Sequence, residues 1–406
     1  MTHPGRTSRI LAIAYVCLPE AGSESGAGWV WSRLLATVGE TWVVTRTPRP
    51  ELRARRDAQV AELGAGERLH FVDVDLPRWT RIWRSNESST RLQRVDYLIW
   101  QVVAHRRARA LQREVRFDLG WHLTWANIWV GSVAAFLGIP FVLGPVGGGV
   151  QPPWRLLGDL GLRGAFFEVV RAIGQRLVRY ANPLARTAWE RAQLILVQNP
   201  ETRDWLPRDI HDKIVILPNA VIQDVQPRPA LPPHDPPRAL FVGRLLPLKG
   251  ASLAIRTLLE LPDWHLIICG DGPDAGRLRH LADSLGVAER VDFRGWQARS
   301  EVLRVMHEEA DVFLFPSLHD EGSWVVAEAV ASGLPVVCLD RGGPPVLGGR
   351  AVHATTRGAT VRALAAAVRE SLGGPPAPAD GLDFEARRAQ LAALIERFGL
   401  LERGPR

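Results

Sequence analysis

Two basic residues follow a short apolar run in the second half of the chain. The run Ala239–Val242 leads into Gly243-Arg244-Leu-Leu-Pro-Leu-Lys249-Gly250. A glycine after a strand lets the backbone approach a ligand closely, and arginine and lysine side chains bind phosphate oxygens well. The segment therefore indicates a diphosphate site. The alternative is a surface turn that carries two solvated charges.

Three carboxylates lie further along, in Asp320-Glu321-Gly-Ser-Trp-Val-Val-Ala-Glu328. Asp320 and Glu321 come just before a predicted helix over Val325–Ala331, and Glu328 lies within it. A carboxylate in an apolar helix is costly unless it meets hydrogen-bond donors, and ribose hydroxyls are such donors. We therefore predict that Glu328 binds a ligand, whereas Glu321 is expected to cap the helix.

Two glycine turns complete this set of residues. Gly270-Asp271-Gly272-Pro273 follows the predicted strand His265–Cys269, and Gly295-Trp296 follows Val291–Phe293. The first is a tight turn at the carboxyl end of a strand, where ligands bind in such folds, and the second could contact a nucleotide base through backbone groups. A short buried strand that ends in a glycine turn is the alternative for the second one.

The scaffold must bring these strand ends together. Both halves of the chain alternate strand-like runs with helical patterns, which predicts α/β folding as two doubly wound, Rossmann-like domains with parallel sheets. The strands predicted for the first half are Ile10–Cys17, Thr41–Thr45, Leu69–Val74, Phe117–Trp121, Phe141–Leu143, Ile195–Gln198 and Ile214–Leu217. The second half adds Val312–Phe315 and Pro335–Cys338 to the three strands given above.

A proline-rich segment divides the chain. Its prolines, which exclude a helix or a central strand, are Pro227, Pro229, Pro232, Pro233, Pro236 and Pro237. We expect an N-terminal domain over 1–222, a linker over 223–237 and a C-terminal ligand-binding domain over 238–383. A helix within 384–406 could return to the N-terminal domain.

The composition is typical of a globular protein. The chain has 406 residues, 46% of them hydrophobic and 23% charged, which suits two domains. The net charge of +7 is not accompanied by a nucleic-acid-binding motif, and no apolar run reaches the roughly 20 residues that span a bilayer. We interpret the first apolar run as a strand rather than a signal peptide. The cysteines Cys17, Cys269 and Cys338 are expected to be buried thiols of a cytoplasmic protein.

In order and spacing, the motifs of the second half resemble the retaining GT-B glycosyltransferases of family 4. That family has a glycine–arginine…lysine–glycine loop, a glycine–acid–glycine–proline turn and two acidic residues separated by seven others. Asp320 stands where the family usually has glutamate. After the first predicted strand we expect a glycine-bearing loop over Glu20–Gly28 and a helix over Trp29–Val38. The loop segment Gly22-Ser-Glu-Ser-Gly26-Ala-Gly28-Trp29 and the segment Gly144-Pro-Val-Gly147-Gly148-Gly149 resemble a subset of the family. The resemblance implies the GT-B fold, in which the two domains face a central cleft.

The resemblance also implies a mechanism. A nucleotide-diphosphate sugar would lie in the cleft, where Arg244 and Lys249 neutralise the leaving diphosphate without a metal or another cofactor. Asp320 would contact sugar hydroxyls, and Glu328 the ribose. The glycines implied in donor binding are Gly22, Gly26, Gly28, Gly243, Gly272 and Gly295.

Three polar residues at predicted strand ends could also face the cleft. His122 could bond a donor-sugar hydroxyl or the reacting centre, with a core histidine as the alternative. Asn199 and Asn219 could contribute as well, although asparagine also forms turns readily.

The acceptor is expected to be a glycan or a lipid-linked molecule. The stretch Trp154–Arg191 interleaves arginines with apolar residues, as do segments that lie on anionic lipid; ordinary packing with a solvated arginine face is the alternative. The predicted function is sugar transfer in cell-surface polysaccharide or glycolipid assembly, at the cytoplasmic face of a membrane and without nucleic acid. A non-catalytic nucleotide-sugar-binding module and an epimerase of the same fold are the alternatives.

Overall fold

The structure is a computed structural model that describes residues 7–19, 23–64, 66, 68–77, 79–80, 90–125, 127–223, 225–229, 232–374 and 381–401. Within these residues the chain forms two parallel sheets flanked by helices. The predicted α/β class with two Rossmann-like domains is therefore confirmed.

The first sheet has seven strands in the order β3-β2-β1-β4-β5-β6-β7, all parallel. Alternate residues of the central strand β1 enter apolar clusters on opposite faces, so this sheet is covered on both sides. The strands are β1 (Arg9–Ala14), β2 (Glu40–Arg46), β3 (Leu69–Val74), β4 (Leu119–Thr124), β5 (Phe141–Val146), β6 (Leu194–Val197) and β7 (Ile214–Ile216). The helices are α1 (Ser23–Val38), α2 (Pro50–Glu62), α3 (Thr90–Val115), α4 (Gly161–Ala181), α5 (Pro183–Arg191) and α6 (Pro200–Trp205).

The second sheet has six parallel strands in the order β10-β9-β8-β11-β12-β13. The edge strand β13 was not predicted, because two of its three residues are exposed and it has no apolar run. The strands are β8 (Arg238–Val242), β9 (His265–Cys269), β10 (Val291–Gly295), β11 (Val312–Phe315), β12 (Val336–Leu339) and β13 (Arg350–Val352). The helices are α7 (Ala251–Thr257), α8 (Ala275–Ser284), α9 (Arg299–Glu308), α10 (Trp324–Ala331), α11 (Gly343–Val346), α12 (Arg357–Ser371) and α13 (Phe384–Arg397).

The prediction of a glycine loop over Glu20–Gly28, after β1, is wrong for its described part. Helix α1 begins at Ser23 rather than at Trp29, so Gly26 and Gly28 are buried helical residues. A Cβ at Gly28 would lie 2.2 Å from the carbonyl oxygen of Val16. The glycine therefore allows α1 to pack directly on the segment that follows β1. Gly22 lies outside the described residues.

The described part of the proline-rich segment 223–237 runs along the C-terminal domain. Arg228 donates its backbone N–H to the carbonyl of Ser332 (2.7 Å) and its guanidinium to that of Ala310 (2.7 Å). His234 lies 3.0 Å from a carboxylate oxygen of Asp311. These contacts fix the segment to one domain at several points.

Helix α13 lies against α1 of the N-terminal domain. Leu391 and Leu394 enter an apolar cluster of that domain, and the buried Arg387 donates to the carbonyl of Ala220 (3.1 Å). A second crossing runs the other way: in the 3₁₀ helix Trp154–Leu160, the buried Leu156 and Leu160 belong to the apolar core of the C-terminal domain. The chain therefore passes between the domains more than once.

Candidate active site

Three glycines meet at the carboxyl edge of the second sheet. Gly243 follows β8, Gly270 follows β9, and Gly295 ends β10. Gly243 donates its N–H to Cys269, and Gly270 donates to Gly295 (2.7 Å). A Cβ at Gly270 would lie 2.0 Å from the oxygen of Gly243. The backbone at the ends of β8, β9 and β10 is therefore not covered by side chains of these three residues.

The loop that follows Gly243 is fixed by the neighbouring glycine turn. Leu245 donates to the carbonyl of Asp271 (2.9 Å), and a Cβ at Gly272 would lie 2.5 Å from the oxygen of Leu245. The Arg244 side chain is exposed, and no described residue forms a hydrogen bond or ion pair with it. The loop therefore presents a cation to solvent at the end of β8.

Lys249 and Asp320 form an ion pair across the ends of β8 and β11. The Lys249 Nζ lies 2.6 Å from Asp320 Oδ2, with side chains 28% and 10% exposed. The lysine ends the 3₁₀ turn Pro247–Lys249, and Gly250 follows it with a φ of 78°. A Cβ at Gly250 would lie 1.9 Å from the oxygen of Pro316, so this glycine joins the two loops closely. The two residues predicted from separate motifs thus contact each other.

Glu328 lies within α10 and is buried. Burial raises the pKa of its carboxyl group, and the charge and hydrogen bond of Arg299 oppose that rise. Arg299 donates to Oε1 at 2.6 Å, whereas no described residue forms a hydrogen bond to Oε2. One carboxylate oxygen therefore remains able to accept from a ligand hydroxyl.

The prediction that Glu321 caps α10 is wrong. Ser323 is the N-cap residue, and its own side chain makes no capping hydrogen bond. The Glu321 carboxylate instead accepts hydrogen bonds from Asn199 and Thr202 of the N-terminal domain. Because Asn199 follows β6 and Glu321 follows β11, the carboxyl edges of the two sheets face each other across this contact.

His319 is a half-buried neighbour of the ion pair that the motifs did not reveal. Burial, followed by the charges of Arg171, Lys249 and Arg341, lowers its pKa to about 3. Its Nε2 lies 3.4 Å from a guanidinium nitrogen of Arg171 in α4 and 3.5 Å from Oε1 of Glu321. The imidazole is therefore neutral near pH 7 and can accept from Arg171, so its contact with Glu321 is not an ion pair.

His122 lies inside β4, not after a strand as predicted. It is buried, and burial lowers its pKa to about 4. Its Nε2 lies 3.4 Å from the hydroxyl of Tyr97 in the N-terminal core. No described hydrogen bond joins it to Lys249 or Asp320, and its catalytic assignment stays a prediction. Asn219, the other predicted strand-end residue, accepts from the indole N–H groups of Trp31 and Trp324.

Two Rossmann-like domains with facing carboxyl edges define the GT-B architecture. The carboxyl edge of the second sheet carries the cations, exposed backbone and carboxylates described above. Residues 223–380 match the sequence profile of the family described as glycosyl transferases group 1. The C-terminal domain is therefore similar to the glycosyltransferase group 1 domain.

Two curated relatives and one solved structure illustrate the similarity. A D-inositol 3-phosphate glycosyltransferase of Mycolicibacterium gilvum is 41% identical over 111 residues, which cover 26% of this chain and 25% of the relative. A GDP-mannose-dependent alpha-(1-6)-phosphatidylinositol monomannoside mannosyltransferase of Mycolicibacterium smegmatis is 38% identical over 186 residues, 40% and 48% of the two chains. The matched region thus spans about a quarter of the length of the first relative and about half of the length of the second.

The structural likeness extends over nearly the whole chain. The Anabaena protein Alr3699/HepE, solved in complex with UDP and glucose, superposes with a TM-score of 0.57 at 15% identity. The superposition covers 96% of this chain and all of the other, and at this identity it shows the GT-B fold alone.

Proposed function

We propose that the protein is a retaining glycosyltransferase that moves a sugar from a nucleoside-diphosphate sugar to an acceptor. The observation that carries this proposal is the Lys249–Asp320 pair at 2.6 Å, next to the exposed Arg244 and the glycine-lined strand ends. Two cations, free backbone and a carboxylate together match a ligand that has both a diphosphate and hydroxyl groups.

Lys249 and Arg244 stabilise the diphosphate as it leaves. Charge builds up on the leaving group when the glycosidic bond breaks, and fixed cations near it lower the barrier. Lys249 is already held by Asp320, so a phosphate that attracts the ammonium frees the carboxylate to accept from a sugar hydroxyl. No step requires a metal ion.

Glu328 holds the nucleoside. Its Oε1 is engaged by Arg299, while Oε2 is the oxygen that accepts from a ribose hydroxyl. Gly243, Gly272 and Gly295 let the donor approach the backbone of the same edge.

The relatives' names support the choice of substrates. The Anabaena structure contains UDP and glucose, and the mannosyltransferase is named as GDP-mannose-dependent. The two curated relatives are named for acceptors that contain inositol phosphate, one of them as phosphatidylinositol. We therefore propose a glycan or lipid-linked acceptor in polysaccharide or glycolipid assembly.

We also propose that the protein docks on an anionic membrane surface through α4. One face of this helix is apolar and exposed, and we call it the α4 apolar face; its residues are Phe166, Phe167, Val170, Ile173 and Leu177. Arg176 is exposed beside it, and α4 contacts the 3₁₀ turn that ends at Lys249. A lipid-linked acceptor would thus arrive next to the donor loop. None of the helices in the described part of the chain is long and apolar enough to cross a membrane.

Vesicle sedimentation tests the membrane proposal. The protein should bind vesicles that contain phosphatidylglycerol and release them at high salt, because the attraction is partly electrostatic. Phe166→Ser with Phe167→Ser should abolish binding. Leu259→Ser, which changes an exposed leucine of the C-terminal domain, should leave binding unchanged. Equal binding of the double variant and the wild type would contradict the proposal.

A turnover assay tests the transfer reaction. With UDP- and GDP-sugars, the wild type should release nucleoside diphosphate slowly to water and faster with an acceptor, also in the presence of EDTA. NMR of the product should show the donor's anomeric configuration. An epimerase would interconvert donors without net release of diphosphate, and a binding module would show nucleotide binding without turnover.

A further inference from the structure

The glycine run that ends β5 lies against a residue of the other domain. A Cβ at Gly147 would lie 2.7 Å from the Cβ of Glu321 and 2.9 Å from its Oε2. A Cβ at Gly149 would lie 2.4 Å from the Cα of Thr202. Side chains at either position would displace the Glu321 side chain or its partners, so the run forms a receptacle for this glutamate.

Inside the receptacle, donors from the N-terminal domain surround the carboxylate. Oε2 accepts from Asn199 Nδ2 (2.9 Å) and from Thr202 Oγ1 (3.1 Å). Oε1 accepts from the backbone N–H of Val150 (3.2 Å). Burial raises the pKa of Glu321, and these hydrogen bonds oppose the rise. A carboxylate removed from water is tolerated only where such donors replace it. The arrangement therefore exists only while the two domains are in contact.

The main chain around Glu321 is held from both sides. Asn199 Nδ2 also donates to the Glu321 carbonyl (2.9 Å), and the Asn199 Oδ1 is itself fixed by the N–H of Thr202 (2.8 Å). On the other side, the Asp320 carbonyl accepts from Gly343 (3.0 Å). The adjacent Gly342 donates to Glu201 of α6 (2.8 Å). The first turn of α6 thus holds the loop that carries Asp320 directly through Thr202, and indirectly through Glu201 and the segment Gly342–Gly343.

The peptide bond held in this way joins Asp320 to Glu321, and the Asp320 carboxylate pairs with Lys249. We propose that Glu321 is a positioning residue that couples contact between the two domains to the alignment of Asp320 with Lys249. The inference rests on the proposed function, in which that pair meets the donor. In this proposal Glu321 does not contact the nucleotide sugar; it acts through the peptide bond that joins it to Asp320.

Hydrogen–deuterium exchange on the full chain tests the coupling without requiring activity. Glu321→Gln and Thr202→Val each remove part of the carboxylate network. Exchange should rise about tenfold in both segments 147–150 and 317–323, as expected for the loss of a hydrogen bond to a charged group. Thr202→Ser keeps the hydroxyl, and Glu301→Gln changes an exposed glutamate of α9. Both controls should stay within about twofold of the wild type.

Kinetics of donor hydrolysis provide the second measurement. Glu321→Gln should lower kcat about tenfold, whereas the Kd for UDP or GDP should change less than about threefold, because Lys249 and Arg244 remain. Thr202→Ser should restore what Thr202→Val loses. Unchanged exchange in the two segments, or an unchanged kcat, would overturn the inference. A wild type that binds no nucleoside diphosphate would instead overturn the proposed function, and the exchange data would still decide whether Glu321 couples the segments.

Discussion

A glycine-containing segment follows the first strand of each domain, yet the two segments are used in opposite ways. After β8, the loop Gly243–Gly250 precedes α7 and presents Arg244 and Lys249. After β1, helix α1 begins at Ser23, and Gly28 packs against the backbone of Val16. The same topological position thus holds an open basic loop in one domain and a close helix contact in the other.

Glycines after a strand therefore do not by themselves mark a ligand-binding loop. A ligand needs backbone and charge that remain uncovered. In the C-terminal domain the cations follow the glycine within the loop, whereas Gly26 and Gly28 are buried in a helix.

The largest effect is expected for Lys249→Ala. The change removes a cation from the proposed diphosphate site and leaves Asp320 without its partner. We expect kcat/KM for the donor to fall roughly 100-fold or more, about 3 kcal/mol of transition-state stabilisation. Steady-state release of nucleoside diphosphate measures it, with Arg362→Ala on the exposed side of α12 as the control. A loss below about threefold would mean that the β8 loop is no more functional than the β1 segment.

Gly28→Ala tests the close contact between α1 and the segment after β1. The added methyl would lie 2.2 Å from the Val16 oxygen, so α1 must shift. We expect a loss of about 2 kcal/mol in the free energy of unfolding, measured with urea. Gly276→Ala in α8 has no atom within 4 Å of the new Cβ and should be neutral or stabilising. If both variants were equally stable, the tight contact of α1 would be refuted.

The acid side of the stability profile should depend on His122. Its folded-state pKa of about 4 lies below the ordinary 6.5, so the unfolded chain takes up the proton first and stability falls as the pH drops from about 6.5 to 4. His122→Gln should reduce the loss between pH 7 and pH 5 by about 1–2 kcal/mol. Urea unfolding at both pH values measures this. His319, whose pKa is lowered in the same direction, should account for part of what remains.

The His122 variant also tests its predicted catalytic role. If His122 serves only the core, donor turnover by the folded variant should match the wild type at pH 7. A large loss of kcat at full stability would place the histidine in the reaction after all.

The smallest effect is expected for Arg299→Ala. This guanidinium is about half exposed and holds one oxygen of Glu328, so solvent screens much of its contribution. Binding of the nucleoside diphosphate should weaken two- to fivefold, about 0.5–1 kcal/mol. Isothermal titration measures it, with Arg304→Ala in the same helix as the control. A loss above about 20-fold would show that Arg299 binds the nucleotide directly.

What could be predicted from the sequence follows the same division. The loop Gly243–Gly250 and the segment that holds Asp320 and Glu328 each follow a strand with a clear apolar run, so local patterns locate them. The sequence places the start of α1 too late, because Gly28 serves a contact with Val16 that spacing does not reveal. The sequence does not reveal the hydrogen bonds of Glu321, because its partners Asn199 and Thr202 lie more than a hundred residues away, in the other domain.

The most direct test of the donor site is a thermal-shift measurement with UDP, GDP and ADP on the wild type, Arg244→Ala and Glu328→Ala. Stabilisation of the wild type by one nucleoside diphosphate, lost in both variants, is the predicted result, because a ligand that binds the native state raises its Tm. A folded wild type without any shift, or a shift that both variants retain, would contradict a donor site at the carboxyl edge of the C-terminal sheet.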